Sequence, residues 1–304
     1  MLDETARGVF TIAATPFLPN GALDEDSLDR MTDFYMEKGA TGLTILGIMG
    51  EAGKLSSEES ARVIEKVCAR ANVPVIVGVS APGFAAIEAL SHVAMEKGAA
   101  GVMVAPPSTL KTDGQILGYF RTVAERLGDT PWVLQDFPLV TNVVVDPAVI
   151  LKIVEDCPSM VMLKHEDWPG LEKIAALRRA SDGGARRISI LCGNGGQFLL
   201  EEMIRGADGA MTGFAFPEMM RDVVRLMEAG DETAARDVFD AYLPLVRYES
   251  QPGMGLAIRK YILARRGAIA HDTVRAPGPK LSAATVAEIE TLITRQEAKL
   301  SALD

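Results

Sequence analysis

EKGATGLTILG, residues 37–47, is one of three copies of a pattern that predicts the architecture of this chain. The other copies are EKGAAGVMVAP at 96–106 and IRGADGAMTGF at 204–214. Each copy runs from a basic residue through Gly-Ala and a small turn to a second glycine, which opens an apolar run. The leading glycines, Gly39, Gly98 and Gly206, lie 59 and 108 residues apart. These spacings fit two and four units of roughly 27–30 residues, the length of one β/α unit.

The apolar runs that close these copies belong to a series of eight, separated by longer amphipathic segments. The runs are continuously apolar rather than alternating, which is typical of parallel strands covered on both faces. We predict strands at VFTIAAT (9–15), GLTILG (42–47), PVIVGV (74–79), GVMVAP (101–106), PWVLQD (131–136), MVMLK (160–164), RISILCG (187–193) and GAMTGF (209–214). Eight strands, each followed by a helix, predict a (β/α)8 TIM barrel. An open doubly wound sheet is the alternative, but no GxGxxG follows the first strand.

After about residue 230 the sequence pattern predicts helices without further strands, and APGPK (276–280) is its one loop-like break. We therefore predict a barrel over residues 1–230 and a C-terminal helical extension over residues 231–304, packed on the barrel. A chain of 304 residues is long enough for one such barrel.

The composition of the chain argues against some classes of binding partner. The net charge of −10 argues against a nucleic-acid or anionic-membrane partner, because both favour a basic face. No apolar run approaches the roughly 18 residues of a membrane helix, and the N-terminal sequence shows no secretory signal. The three cysteines form no CxxC pair, which fits a reducing compartment. We expect a cytoplasmic protein.

Lys164 is the strongest single candidate for chemistry. The functional residues of such a barrel lie at the C-terminal ends of its strands, and Lys164 is the only lysine that closes one of the runs. Partial loss of hydration there favours the free amine that attacks a carbonyl. The alternative is a lysine that reaches solvent or pairs with Glu166 or Asp167.

Two glycine-rich turns are candidates for anion binding. GIMGEAG (47–53) and GNGGQF (193–198) each follow a predicted strand, and their backbone N–H groups could converge on a carboxylate. An ordinary loop is the alternative for both. The three histidines show no metal-ligand spacing, so we expect no metal site.

Taken together, the motifs resemble one family. ATPF (14–17), Gly47-x-x-Gly50-Glu51, VMVAPP (102–107), the proline of LQDFP (134–138), the lysine of MLKHE (162–166) and GADGAMTG (206–213) occur in the order seen in the dihydrodipicolinate synthase / N-acetylneuraminate lyase superfamily. The chain resembles it over residues 8 to about 265. The resemblance implies a (β/α)8 barrel with C-terminal helices, no metal or organic cofactor, and a homo-oligomer, commonly a tetramer built from dimers. It also implies that the Lys164 amine condenses with the ketone of pyruvate or a related 2-keto acid, giving an iminium that serves as an electron sink.

The chain departs from the family at its proton relay. Members usually carry Gly-Thr-Thr-Gly-Glu after strand two and Tyr-Asn-x-Pro after strand five. This chain has Gly47-Ile48-Met49-Gly50-Glu51 and Gln135-Asp136-Phe137-Pro138 instead. Dihydrodipicolinate synthases also place an arginine two residues after that proline to hold the aldehyde's carboxylate, and this chain has Val140.

The expected site combines these observations. We expect Lys164, Gln135 and Asp136 to be catalytic, and the backbone amides of the Gly47–Gly50 turn to hold the keto acid's carboxylate. For proton transfer the sequence leaves Asp136, Glu51, His165 and Ser108 open, although strand alternation turns His165 opposite to Lys164 and raises the same problem between Asp136 and Gln135. The expected substrate-binding residues are Gly47, Ile48, Met49, Gly50, Glu51, Ser108, Gly193, Thr212 and Gly213.

The sequence thus predicts a cofactor-independent Schiff-base lyase of the aldolase or dehydratase type, acting on pyruvate or a related 2-keto acid. The altered relay favours a dehydratase or aldolase of 2-keto-3-deoxy sugar acids. Two alternatives stay open: dihydrodipicolinate synthase proper with substituted helper residues, and a barrel that binds a keto acid without turnover.

Overall fold

The computed structural model describes residues 1–168 and 170–303, so Asp304 of the predicted extension lies outside the described residues. The strands pair in parallel in sequence order, and the first also pairs with the eighth, which closes a barrel. The strands are β1 (Gly8–Ile12), β2 (Gly42–Ile45), β3 (Val75–Gly78), β4 (Gly101–Val104), β5 (Trp132–Asp136), β6 (Met160–His165), β7 (Ser189–Cys192) and β8 (Gly209–Ala210).

Helices alternate with these strands and then continue alone. They are α1 (Glu25–Glu37), α2 (Ser57–Arg70), α3 (Phe84–Glu96), α4 (Asp113–Leu127), α5 (Pro138–Thr141), α6 (Pro147–Asp156), α7 (Leu171–Asp182), α8 (Leu199–Ile204), α9 (Pro217–Glu228), α10 (Glu232–Glu249), α11 (Gly255–Arg265) and α12 (Ala283–Leu300). No helix within the described ranges is long and apolar enough to cross a bilayer.

The prediction of a (β/α)8 barrel is confirmed. Each of the eight predicted runs overlaps one strand, and six of the runs continue past the strand into the following loop. These six runs are longer than their strands because the apolar pattern does not change where backbone pairing ends. The strand β1 begins one residue before its run, and β6 ends one residue after its run. The difference is largest at β8, which pairs only through Gly209 and Ala210.

Barrel closure depends on a close backbone approach at Gly209. This residue has φ +143°, and a Cβ placed on it would lie 2.0 Å from the carbonyl oxygen of Gly8 on the neighbouring strand. A side chain therefore does not fit here, and glycine allows β8 to pair with β1.

Two apolar layers lie on opposite faces of the barrel sheet. The larger one fills the space between the strands and the surrounding helices. The smaller one fills the barrel interior and includes Phe10, Ile12, Ile76, Met103, Val133, Met162, Leu191 and Met211. Because successive strand residues face opposite sides, the interior members fix which residues of each strand point inward.

The helix α11 connects the C-terminal part of the chain to the barrel's loops. Its Arg259 and Lys260 are both buried. The guanidinium of Arg259 donates to the carbonyl of Gly213 and pairs with Glu249, and the amine of Lys260 pairs with Glu51. The helices that follow β8 therefore contact the end of the barrel at which the strands finish.

Candidate active site

Lys164 lies near the C-terminal end of β6 and faces the barrel interior. Met162, two residues earlier, belongs to the interior cluster, whereas Leu163 belongs to the outer one. Lys164 is 5% exposed, so its amine does not extend into bulk solvent. A buried amine at the catalytic end of a barrel strand is placed for nucleophilic chemistry.

The amine of Lys164 contacts the carboxylate of Glu166. Lys164 Nζ lies 3.0 Å from Glu166 Oε2, and both side chains are buried. The same oxygen accepts a hydrogen bond from Gln135 Nε2 at 2.7 Å. The N–H of Glu166 donates to the carbonyl of Asp136 at 2.9 Å, which continues the strand pairing one residue past β6. Glu166 therefore keeps the alternation of β6 and faces inward beside Lys164.

Gly193 provides the space that Glu166 occupies. A Cβ on Gly193 would lie 2.1 Å from Glu166 Cγ and 2.5 Å from its Oε1. The next residue, Asn194, donates from Nδ2 to the carbonyl of Glu166 at 3.1 Å. The sequence suggested that the turn after β7 binds an anion, but in the structure its first glycine accommodates a side chain of the protein.

Two residues with a left-handed backbone conformation flank the turn after β2. Leu46 and Glu51 both have φ 54°, and a short 3-10 turn over Ile48–Gly50 lies between them. Such backbone is costly for residues other than glycine and is often found at functional sites. The Thr15 hydroxyl donates to the carbonyl of Gly50 at 2.5 Å and fixes the turn.

The residues of this turn differ in where they point. Met49 packs against the interior cluster, whereas Ile48 is 52% exposed. A Cβ on Gly47 would meet Ile12 and Met103 of the interior cluster at ordinary contact distance. The backbone N–H groups of Ile48 and Met49 have no acceptor among the described residues. They are therefore free to bind a carboxylate.

Glu51 is predicted to bind substrate, but in the structure its carboxylate contacts other groups of the protein. Its Oε1 pairs with Lys260, and its Oε2 accepts from Lys54 Nζ at 2.8 Å and from the N–H of Arg275 at 3.0 Å. The Glu51 side chain is 1% exposed. This carboxylate joins the turn after β2 to the C-terminal part of the chain.

Asp136 and His165 lie on the outer face of the sheet. Asp136 Oδ2 accepts from Lys173 Nζ of α7 at 2.6 Å. Burial raises the pKa of Asp136 to about 6, against the opposing effect of Lys173. Burial also lowers the pKa of His165 to about 4, and the nearby Lys173 acts in the same direction. This placement separates Asp136, which we expected to be catalytic, from Lys164, and it places His165 opposite to Lys164 as strand alternation indicates.

The remaining predicted residues take up other positions. The Thr212 hydroxyl accepts from the N–H of Gly195 at 2.8 Å. A Cβ on Gly213 would lie 2.0 Å from Arg259 Nη1, so that glycine makes room for a protein side chain. Ser108 is exposed in the loop after β4. The structure thus brings Lys164 and Gln135 together, and gives Thr212 and Gly213 partners within the protein.

Glu166 is the residue that the sequence did not single out as a candidate. The sequence indicates Glu166 only as one of two acids with which Lys164 could pair. Its position two residues after Lys164 was the available signal, since strand alternation places both on one face if the strand continues. The apolar run ends at Lys164, so nothing in the sequence indicates that strand geometry extends to Glu166.

Comparisons with known proteins agree on one family. The model of the dihydrodipicolinate synthetase family matches residues 5–296. The chain is 29% identical over 297 residues to the L-2-keto-3-deoxyarabonate dehydratase of Azospirillum brasilense, covering 95% of this chain and 94% of that protein. It is 31% identical over 303 residues to the 4-hydroxy-tetrahydrodipicolinate synthase of Sorangium cellulosum, covering 97% of each.

A solved structure is more similar still. The crystal structure of dihydrodipicolinate synthase from Rhodopseudomonas palustris is 54% identical and superposes with a TM-score of 0.95. The alignment covers 97% of this chain and 99% of that one.

Proposed function

Because the chain belongs to the dihydrodipicolinate synthetase family, we propose that it is a Schiff-base-forming lyase acting on pyruvate or a related 2-keto acid. The observation that carries this proposal is the buried amine of Lys164 at the C-terminal end of β6, inside a closed barrel. The side chain is covered, and it lies near the end of the barrel where substrates of such folds bind. A lysine in this setting serves as a nucleophile toward a ketone.

The proposed reaction begins at the ketone carbon. The Lys164 amine adds to this carbon, and loss of water from the adduct leaves an iminium joined to Nζ. The free N–H groups of Ile48 and Met49 bind the keto acid's carboxylate. The iminium withdraws electrons from the neighbouring carbon, so removal of a proton there gives an enamine. The enamine then forms a carbon–carbon bond with an aldehyde or expels a hydroxyl group as water, and cleavage is the reverse of bond formation.

For the finer reaction, we propose a dehydratase or aldolase of 2-keto-3-deoxy sugar acids. Two residues support this choice. Gln135 stands where the family usually has a tyrosine, and Val140, which is 49% exposed, stands where dihydrodipicolinate synthases have an arginine for the aldehyde's carboxylate. The name of the Azospirillum brasilense relative, a 2-keto-3-deoxy acid dehydratase, points in the same direction.

The second candidate is 4-hydroxy-tetrahydrodipicolinate synthase. It is favoured by the 54% identity to the Rhodopseudomonas palustris protein, whose structure is described as a dihydrodipicolinate synthase. In this case the enamine attacks aspartate semialdehyde, and a group other than an arginine at position 140 binds the carboxylate of that aldehyde. We also propose that the chain forms a homo-oligomer, as its resemblance implies, which size-exclusion chromatography with light scattering tests.

Trapping with borohydride tests the Schiff base. The protein is incubated with pyruvate, and separately with 2-oxobutyrate, then reduced and digested for mass spectrometry. We expect a reduced adduct on Lys164 and none on Lys173, a second buried lysine that lies on the outer face and serves as an internal control. The Lys164→Arg variant should give no adduct. Wild-type protein that stays unmodified with both keto acids refutes the proposal.

The second substrate is then assigned by turnover. The protein is assayed with pyruvate plus aspartate semialdehyde, and with a panel of 2-keto-3-deoxy pentonates and hexonates. Turnover of the sugar acids supports the finer proposal, whereas turnover of aspartate semialdehyde alone supports the synthase. A protein that traps keto acids but turns over neither class is a binder.

A further inference from the structure

We propose that Glu166 transfers the protons at the Schiff base of Lys164, a role that rests on the proposed function. The family's tyrosine and threonines are absent here, so the protons of imine formation need another carrier. Proton transfer requires an acid or base within hydrogen-bond reach of the reacting group. Glu166 meets this requirement in the structure.

Contact with the reacting nitrogen distinguishes Glu166 from the other acids. Its Oε2 lies 3.0 Å from Lys164 Nζ, and across residues 1–168 and 170–303 it is the carboxylate that forms an ion pair with this amine. Asp136 is paired with Lys173 on the outer face, and Glu51 with Lys260 and Lys54. The carboxylates of Asp136 and Glu51 therefore already form ion pairs with other lysines.

The protons balance if Glu166 acts at each step. Its carboxylate takes a proton from the Lys164 ammonium, which frees the amine to attack the ketone, and a proton then passes from the nitrogen of the adduct to its oxygen to give the carbinolamine. The protonated acid then gives that proton to the departing hydroxyl of the carbinolamine, so water leaves and the iminium forms. The carboxylate next removes a proton from the carbon beside the iminium, giving the enamine. In aldol addition the acid protonates the new alkoxide, and in dehydration it protonates the hydroxyl that leaves.

The surroundings of Glu166 are built to hold this carboxylate in place. Gln135 Nε2 donates to Oε2, the oxygen that also contacts Lys164, at 2.7 Å. Gly193 leaves the space for the side chain, and Asn194 holds the backbone carbonyl of Glu166. Gln135 cannot titrate, so it is a positioning residue that orients the acid rather than replacing the tyrosine itself.

Deuterium exchange of the pyruvate methyl group isolates the proton-transfer step. Exchange in D2O requires the iminium to lose and regain a carbon-bound proton, and it is followed by proton NMR without a second substrate. Borohydride trapping on the same samples reports iminium formation separately. We expect wild-type protein to trap pyruvate and to catalyse exchange. Wild type that traps pyruvate without exchange overturns the role of Glu166 but leaves the proposed function standing, whereas failure to trap any keto acid overturns both.

Variants assign the exchange to Glu166. We expect Glu166→Gln to slow exchange about 100- to 10,000-fold while Lys164 is still trapped after long incubation. Glu166→Asp should retain part of the rate, because it keeps the acid but draws it back by one methylene. Glu202→Gln, at another buried acid, is the matched control and should exchange at the wild-type rate. Glu166→Gln or Glu166→Asp exchanging as fast as wild type refutes the proposal.

Two further variants test the positioning. Gln135→Met keeps the length of the side chain but removes the donor to Glu166. Because Glu166 then loses the hydrogen bond that orients its carboxylate, exchange should slow about 10-fold or more while pyruvate is still trapped on Lys164. Gly193→Ala displaces Glu166 without changing its chemistry and should slow exchange at least 10-fold. Exchange at the wild-type rate in both variants overturns the assigned positioning.

Discussion

Replacing Lys260 with methionine tests whether the turn after β2 depends on a cation from α11. Lys260 Nζ pairs with Glu51, donates to the carbonyl of Thr273 at 2.8 Å and lies 4.6 Å from the centre of the Phe17 ring. The Lys260 side chain is 0% exposed and that of Glu51 is 1% exposed. Methionine keeps most of the apolar stem and removes the charge, so the change is largely electrostatic.

The expected loss of stability follows from the burial of the pair. Removing one member of a buried ion pair typically costs about 3–5 kcal/mol, because the other charge remains in the interior. Glu51 keeps Lys54 and the N–H of Arg275, so we expect the lower end, about 3 kcal/mol. Burial also lowers the pKa of Lys260 against the opposing effect of Glu51, and the nearby cations Lys54 and Arg275 act in the same direction as burial.

A double-mutant cycle measures the interaction between Lys260 and Glu51 separately from their contacts with other groups. Glu51→Gln leaves Lys260 without a full counter-charge and should cost about 3 kcal/mol. The double variant leaves neither charge buried, so it should be more stable than the sum of the single losses by about 2 kcal/mol. Lys152→Met, at a lysine 44% exposed and paired with Glu155, is the surface control and should cost less than about 1 kcal/mol.

Urea unfolding at pH 7.5, followed by circular dichroism and tryptophan fluorescence, gives these free energies if the two signals coincide. Thermal unfolding provides a second measure. The reasoning is refuted if Lys260→Met costs no more than Lys152→Met, or if the two single losses add within about 0.5 kcal/mol.

Three further predictions concern other buried positions. Burial raises the pKa of Glu202 from its ordinary 4.5 to about 8, so the folded protein holds a proton that the unfolded chain releases. Stability should therefore fall as pH rises from 4.5 to 8, and a Glu202→Gln variant whose melting temperature shows the same fall contradicts this. Burial lowers the pKa of His165 from 6.5 to about 4, so stability should fall as pH drops through that window. Urea titrations at pH 7 and 5 should show a smaller difference for His165→Gln, and an equal difference would count against it. Gly209→Ala places a Cβ 2.0 Å from the Gly8 carbonyl and should cost about 3 kcal/mol or more, whereas Gly114→Ala, which meets nothing, should be neutral or stabilising by up to about 1 kcal/mol. Comparable thermal stability of the two variants would show that the closure at Gly209 tolerates a side chain.

The barrel could be predicted from the sequence because its signals are local. Each repeat places a glycine, a small turn and an apolar run within about a dozen residues, and continuous apolar runs are typical of strands covered on both faces. The start of α2 depends on an equally local interaction, since Ser56 caps the helix and exchanges hydrogen bonds with Glu59.

The candidate site was less predictable because it depends on which face each residue occupies. A strand that is apolar on both sides shows no alternation, so the sequence could not tell that Gln135 faces inward and Asp136 outward. Glu166 faces inward because its N–H bonds to the carbonyl of Asp136, which extends the strand pairing beyond the apolar run. The partners of Glu51 lie far away in the sequence, and nothing in GIMGEAG indicates that Lys260 will cover it.

The ion pair between Glu51 and Lys260 also has a consequence for the order in which the protein is made. Lys260 follows Glu51 by 209 residues, and the N–H of Arg275 follows it by 224. At 5–20 residues per second, a ribosome reaches Lys260 roughly 10–40 s after Glu51. All eight strands have been synthesised by then, but the turn after β2 still lacks its buried cation. Completion of this turn is therefore a late event of biosynthesis, because nascent chains that end between β8 and α11 contain all eight strand sequences but not the lysine that pairs with Glu51.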